Sequence, residues 1–165
     1  MIFIIICTIA FFCFNKEGFG YSNTSPLYTH FIYQFMHINI MHLSMNLFSF
    51  YTFYKPFKGK FCLMVLLYSY ASSVIASFFS EGVKPTMGCS GLVFALIGIY
   101  IYLSITSKSI TKEKRYNIIL NYSLTILFPL AIMYFIPYIN TMCHVYSLML
   151  GFVSGFLINK INSKK

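Results

Sequence analysis

One serine lies between glycines where a polar loop gives way to an apolar run. The stretch reads Gly88-Cys89-Ser90-Gly91, and the apolar residues begin at Leu92. A serine hydroxyl is a poor nucleophile until a neighbouring base takes its proton, so Ser90 could perform acyl transfer only beside such a base. A serine at this place could also serve as a helix cap. Whether the chain also supplies a base and hydrogen-bond donors near Ser90 decides between these two interpretations.

His144 is the base that the sequence favours for Ser90. A neutral imidazole can accept a proton at neutral pH. His144 starts a face of small residues on one predicted helix, and a similar face accompanies Ser90 on another. The small residues are Ser147, Gly151 and Gly155 beside His144, and Gly91, Ala95 and Gly98 beside Ser90. Because such faces let helices approach closely, we expect them to pack together and bring His144 next to Ser90. The competing interpretation is small-residue packing in which the serine and the histidine are incidental neighbours.

Two further polar side chains could stabilise an oxyanion. His42 and Asn46 are four residues apart and face the same way on a helix. Preorganised donors are usually the main stabiliser of the oxyanion in acyl transfer. Backbone N–H groups at the helix start are unpaired, and Gly88 lets the backbone approach a substrate closely. We therefore predict an oxyanion hole formed by His42, Asn46 and the N–H groups around Ser90. His37, about 140° from His42 on an ideal helix, is predicted to be structural and to hold the preceding loop.

A metal site and a cysteine nucleophile are the alternatives. His37, His42 and His144 are three candidate ligands, but the first two are poorly spaced for chelation and no acid is at hand to assist. The chain has three acidic residues, all in predicted loops: Glu17, Glu81 and Glu113. Cys89 lies at a helix N-terminus, where thiolates are favoured, but it points about 100° away from Ser90. The sequence therefore predicts no metal and no cofactor, with Cys89 as the rival nucleophile.

The chain carries too few charges for a soluble domain. Of its 165 residues, 58% are hydrophobic and 9% are charged, whereas a soluble domain carries about 25% charged residues. We therefore predict an all-α, polytopic integral membrane protein with a single domain over residues 1–165 and six spanning helices. The predicted helices cover residues 1–14, 35–54, 61–79, 90–106, 117–136 and 141–159.

The basic residues indicate membrane topology rather than nucleic-acid binding. The net charge is +9, but the basic residues come in short clusters between apolar runs. One side of the predicted bundle receives ten of them: Lys55, Lys58, Lys60, Lys108, Lys112, Lys114, Arg115, Lys160, Lys164 and Lys165. The other side receives only Lys16 and Lys84. The positive-inside rule then puts both termini in the cytoplasm. Ser90, His42 and His144 consequently converge in the outer half of the membrane, where a polar cluster indicates a functional site.

Three motifs in this order resemble the signatures of the rhomboid family of intramembrane serine proteases. They are His37-x4-His42-x3-Asn46 on the second predicted helix, Gly88-x-Ser90-Gly91 at the start of the fourth, and His144 with Gly151 on the sixth. The resemblance covers roughly residues 28–159. The chain departs from the family at Ser147, where the family usually has glycine. It also has no tryptophan, so the family's Trp-Arg pair cannot anchor the first loop, predicted over about residues 15–30, and its anchor is left open.

The resemblance implies a function for the whole chain. It implies a Ser90–His144 dyad without an acid, in a six-helix bundle with a short, central fourth helix. It also implies that the protein lies among membrane lipids and cleaves transmembrane segments of other membrane proteins near their outer ends. The cavity would open outward, and the fifth helix with residues 137–140 would be the gate for substrate. The alternatives are an inactive relative that binds transmembrane helices, and a proton or metal transporter that uses the histidines.

Overall fold

The computed structural model describes residues 2–14, 17–57, 59–80, 82, 84–108, 110–136 and 139–162. These residues form seven α-helices, two 3-10 turns and no strand. The α-helices are α1 (Ile2–Phe14), α2 (Thr29–Ile32), α3 (Ile40–Tyr54), α4 (Lys60–Phe79), α5 (Ser90–Thr106), α6 (Lys112–Tyr134) and α7 (Thr141–Asn162). The 3-10 turns are Glu17–Phe19 and Tyr33–Phe35. The predicted all-α fold class is confirmed for the described part of the chain.

Three helices are long and apolar enough to cross a membrane. Within α4, α6 and α7 the candidate spans are Phe61–Phe79, Lys112–Tyr134 and Thr141–Asn162. Helices α1 and α5 are apolar but have only 13 and 17 residues, fewer than the roughly 20 that a straight span requires. The number of six spans therefore stays a prediction.

The second predicted helix begins later than the sequence indicated. It was expected over residues 35–54, but α3 begins at Ile40, after a 3-10 turn that ends at Phe35. Asn39 is extended, and its side chain accepts a hydrogen bond from the backbone N–H of His42 at 2.8 Å. Asparagine is a strong N-cap, so it starts the helix even though the apolar residues continue upstream. The prediction that His37 lies in this helix was wrong, and so was the angle calculated between His37 and His42.

The last two long helices differ from their predicted bounds, and α6 ends at Tyr134 rather than at residue 136. Helix α6 begins at Lys112 rather than at residue 117, and the Thr111 side chain caps it by accepting from the N–H of Lys114 at 3.3 Å. Helix α7 continues to Asn162, three residues past its predicted end. Six residues used in the sequence argument lie outside the described residues: Lys16, Lys58, Glu81, Pro137, Lys164 and Lys165.

Helix α5 lies at the centre of the fold. It contacts α3, α4, α6 and α7, and all of its residues from Gly91 to Ile99 are buried. A Cβ at Gly98 would lie 2.7 Å from the backbone nitrogen of Phe152, and one at Gly151 would collide with the backbone of Ala95. The predicted packing of the two small-residue faces is thus confirmed, and the absence of side chains at these glycines is what allows α5 and α7 to meet.

Candidate active site

Ser90 and His144 meet at the seam between α5 and α7. The Oγ atom of Ser90 lies 2.7 Å from Nε2 of His144. Ser90 is half-buried at the start of α5, and His144 is 6% exposed in the first turn of α7. The imidazole stacks on Phe94 of α5, with ring centroids 4.7 Å apart and planes 22° apart. This stacking and the helix contact hold the imidazole beside the hydroxyl, which can donate its proton to Nε2.

The second ring nitrogen of His144, Nδ1, has no hydrogen bond to an acidic residue in the described part of the chain. Nδ1 of His144 is buried and has no hydrogen-bond partner among the described residues. When Nε2 accepts from Ser90, Nδ1 carries the proton of the neutral imidazole. The arrangement is therefore a two-residue pair, with ring stacking rather than a carboxylate orienting the base.

The loop before Ser90 is shaped by backbone contacts and not by a serine cap. Gly88 has φ +115°, a conformation that residues with a side chain rarely adopt. Its N–H donates to the carbonyl of Tyr33 at 3.0 Å, and the N–H of Cys89 donates to Nε2 of His37 at 3.4 Å. Cys89, and not Ser90, is the N-cap residue of α5, and it makes no side-chain cap. The helix-cap interpretation of Ser90 is therefore wrong, and His37 holds the loop that leads into Ser90.

His42 and Asn46 face Gly88 from α3. A Cβ at Gly88 would lie 2.9 Å from Nε2 of His42 and 3.2 Å from Nδ2 of Asn46, so only a glycine fits there. Asn46 is 7% exposed, and its Nδ2 has no hydrogen-bond partner among the described residues. An amide group buried without an acceptor is costly. An anionic oxygen bound near Gly88 would remove that cost, because it would accept from the Asn46 amide.

The alternative nucleophile and the metal site are not favoured by this geometry. Cys89 is completely buried in the hydrophobic core, in the cluster that includes Leu92 and Leu96. A thiol in that position is inaccessible to a substrate. Within the described part of the chain, no three His, Cys, Asp or Glu side chains are grouped so that they could hold a metal ion.

Residues 24–161 match the family model of the Rhomboid domain. The chain belongs to the rhomboid family. No curated protein matches the chain. Rhomboid proteins are generally intramembrane serine proteases, although some are inactive. The matched region contains Ser90, His144, His42 and Asn46. Together with the apolar helices, it identifies an integral membrane protein.

The first loop of this rhomboid protein is anchored by a tyrosine. Tyr21 is fully buried, and its backbone pairs with Thr86 through hydrogen bonds of 2.8 and 3.1 Å. Its ring packs on His30 and against the edge of Tyr33. His30 is itself buried and lies 2.8 Å from Oγ of Ser77. Tyr21 thus joins the loop to the segment that leads into the nucleophile, a role that the sequence analysis missed.

Proposed function

We propose that this rhomboid-family protein is an intramembrane serine endopeptidase that cleaves the transmembrane segments of other membrane proteins. The observation that carries the proposal is the 2.7 Å contact between Ser90 Oγ and His144 Nε2. It joins a hydroxyl and a base from two helices that pack closely on glycines. An inactive relative that only binds helices would have no need of this pair, so the pair favours the protease over that alternative.

The chemistry assigned to the pair is acyl transfer to Ser90. His144 Nε2 takes the hydroxyl proton while Oγ attacks the carbonyl carbon of the scissile peptide bond. His144 then gives that proton to the leaving amine, which releases one product and leaves the other as an ester on Ser90. Water attacks the ester with His144 again as the base, and the carboxylic acid product leaves as Ser90 regains its proton.

His42 and Asn46 are proposed to bind the oxyanion that forms in both steps. Their donors face the backbone at Gly88, close to the first turn of α5, where backbone N–H groups have no intrahelical acceptor. Fixed donors of this kind stabilise the transition state more than the bound substrate. Gly88, Gly91 and Gly151 support the site by permitting close contacts, and His37 supports it by holding the loop. The proposed mechanism uses no metal and no cofactor.

We propose that the site opens on the outer side of the membrane and that both termini are cytoplasmic. Helices α3, α5 and α7 all begin near the dyad, and the described basic residues other than Lys84 lie at their far ends or at the adjacent starts of α4 and α6. Such an asymmetry supports this orientation.

Helix α6 is the proposed gate for substrate, because it packs loosely on the other helices: Ile126 is its only buried residue among those described. Residues 1–165 are proposed to form one domain surrounded by lipids.

Replacing Ser90 by alanine is expected to abolish cleavage of a transmembrane substrate that contains helix-destabilising residues. The variant loses only the nucleophile and its hydrogen bond to His144, so it should insert into the membrane and fold like the wild type. The measurement is product formation by purified protein in lipid vesicles, with Cys89→Ala as the matched control. The control should retain cleavage, since the buried thiol takes no part. Undiminished cleavage by Ser90→Ala would contradict the assignment.

A further inference from the structure

One asparagine side chain connects four segments at the outer end of the site. Asn140 lies immediately before α7. The two N–H groups of its Nδ2 are shared among three acceptors: the carbonyl oxygen of Ser80 at 2.7 Å, Oγ1 of Thr86 at 3.0 Å and the hydroxyl oxygen of Tyr21 at 3.1 Å. Its Oδ1 accepts from the N–H of Cys143 at 3.1 Å. A single amide therefore bonds to the first loop, to the end of α4, to the loop that precedes α5 and to the first turn of α7.

The oxygen and the nitrogen of this amide bond to different segments of the site, one to the first turn of α7 and the other to the loop that leads into α5. Oδ1 satisfies a backbone donor in the turn of α7 that contains His144, as an N-cap does. Nδ2 reaches the Thr86 hydroxyl, a few residues before Ser90 in the loop. Deeper in the protein, α5 and α7 are held together by the glycine contacts at Gly98 and Gly151. At the outer end, where the dyad lies, Asn140 supplies a polar connection between them.

We propose that Asn140 is a positioning residue that sets the placement of His144 relative to Ser90. It touches neither the substrate nor the reacting atoms, and the inference depends on the proposed protease function. The 2.7 Å contact between the dyad atoms requires that the starts of α5 and α7 keep a fixed separation. A displacement of about 1 Å can cost about 100-fold in rate, so a connection at this place affects the chemical step.

Asn140→Ala is expected to lower kcat by about 10- to 100-fold in the folded fraction and to leave KM nearly unchanged. The matched control is Ser154→Ala, which removes a buried hydrogen bond of 3.0 Å between α7 and Ser72 of α4, away from the dyad. Both variants should lower Tm, but only Asn140→Ala should lower kcat. Equal kcat values for Asn140→Ala and the control would overturn the positioning role.

Substitutions at Thr86 keep the proposal testable if Asn140→Ala does not fold. Thr86→Val removes the hydroxyl that accepts from Asn140, and Thr86→Ser retains it. We expect kcat to fall in the first variant and to stay near the wild-type value in the second, a comparison that does not require Asn140→Ala to fold. When Asn140→Ala does fold, kcat should fall no further in the Thr86→Val, Asn140→Ala double variant than in Asn140→Ala. Independent, multiplying losses would contradict the connection between these two side chains. A wild type that lacks Ser90-dependent cleavage overturns both proposals, whereas an active wild type with unaffected Asn140 and Thr86 variants overturns this one alone.

Discussion

His144→Ala is expected to reduce kcat for a transmembrane substrate by at least about 10³-fold, since removing the base of a serine hydrolase can cost about 10⁶-fold. His144 Nε2 lies 2.7 Å from Ser90 Oγ, where it can accept the hydroxyl proton. Without it the hydroxyl has no base, and the amine has no acid when it leaves. The loss should appear in kcat, because the imidazole acts on the reacting atoms and contributes little to the binding of a long apolar helix.

His30→Ala is the matched control for that measurement. His30 is another buried histidine, bonded to a serine hydroxyl at 2.8 Å and stacked on Phe78 at 4.1 Å. It resembles His144 in burial and in contacts but lies outside the dyad. The control should lose stability and keep most of its kcat in the folded fraction. Comparable kcat losses in the two variants would mean that removing any buried histidine damages the protein, and the role of His144 as base would be contradicted.

Asn46→Ala is expected to lower kcat by about 10²- to 10³-fold, which is the usual effect of removing one oxyanion donor. The Asn46 amide faces Gly88 and has no acceptor among the described residues. The acceptor that we propose exists only when the carbonyl oxygen becomes an oxyanion, so KM should change little. The measurement is a full kinetic comparison of the variant and the wild type on the same membrane substrate.

Asn46→Asp tests the same role without a change of shape. The carboxylate is close in size to the amide but accepts hydrogen bonds instead of donating them, so this variant should be at least as impaired as Asn46→Ala. A variant of either kind that raises KM while kcat is unchanged would assign Asn46 to substrate binding and would remove it from the oxyanion hole.

The pairing of Ser90 with His144 could be predicted from the sequence because small residues have a simple physical consequence. Glycines at helical spacing allow close contact, and two such faces were available, so Ser90 and His144 could be predicted to lie together. The structure shows this close contact directly, because a side chain at Gly151 would collide with the backbone of Ala95. The same reasoning assigned His42 and Asn46 to one face, and both do face Gly88.

The position of His37 was missed because two local signals compete. The apolar residues continue through Phe35 and favour a longer helix, but the capping side chain of Asn39 starts α3 at Ile40. A cap contributes on the order of 1 kcal/mol, enough to choose between two starts that hydrophobicity alone does not distinguish. Because His37 lies outside α3, its Nε2 can accept a hydrogen bond from the N–H of Cys89.

The role of Tyr21 could not be predicted because its partners are distant in the sequence. Its hydroxyl bonds to Asn140, which is 119 positions further along the chain, and its backbone pairs with Thr86. No periodic pattern or short motif records contacts of that kind. The prediction of six spans counted every apolar run, but the helices that form in α1 and α5 are shorter than the roughly 20 residues that a straight span requires.

The most direct test of Ser90 as an activated nucleophile is covalent labelling of the purified protein with a fluorophosphonate. The reagent needs a reactive serine but no transmembrane substrate, so the result does not depend on the choice of a cleavage target. The predicted result is a single adduct on Ser90, located by mass spectrometry, which is lost in His144→Ala and retained in His30→Ala. An unlabelled but folded wild type, or an adduct on a residue other than Ser90, would contradict the Ser90–His144 dyad.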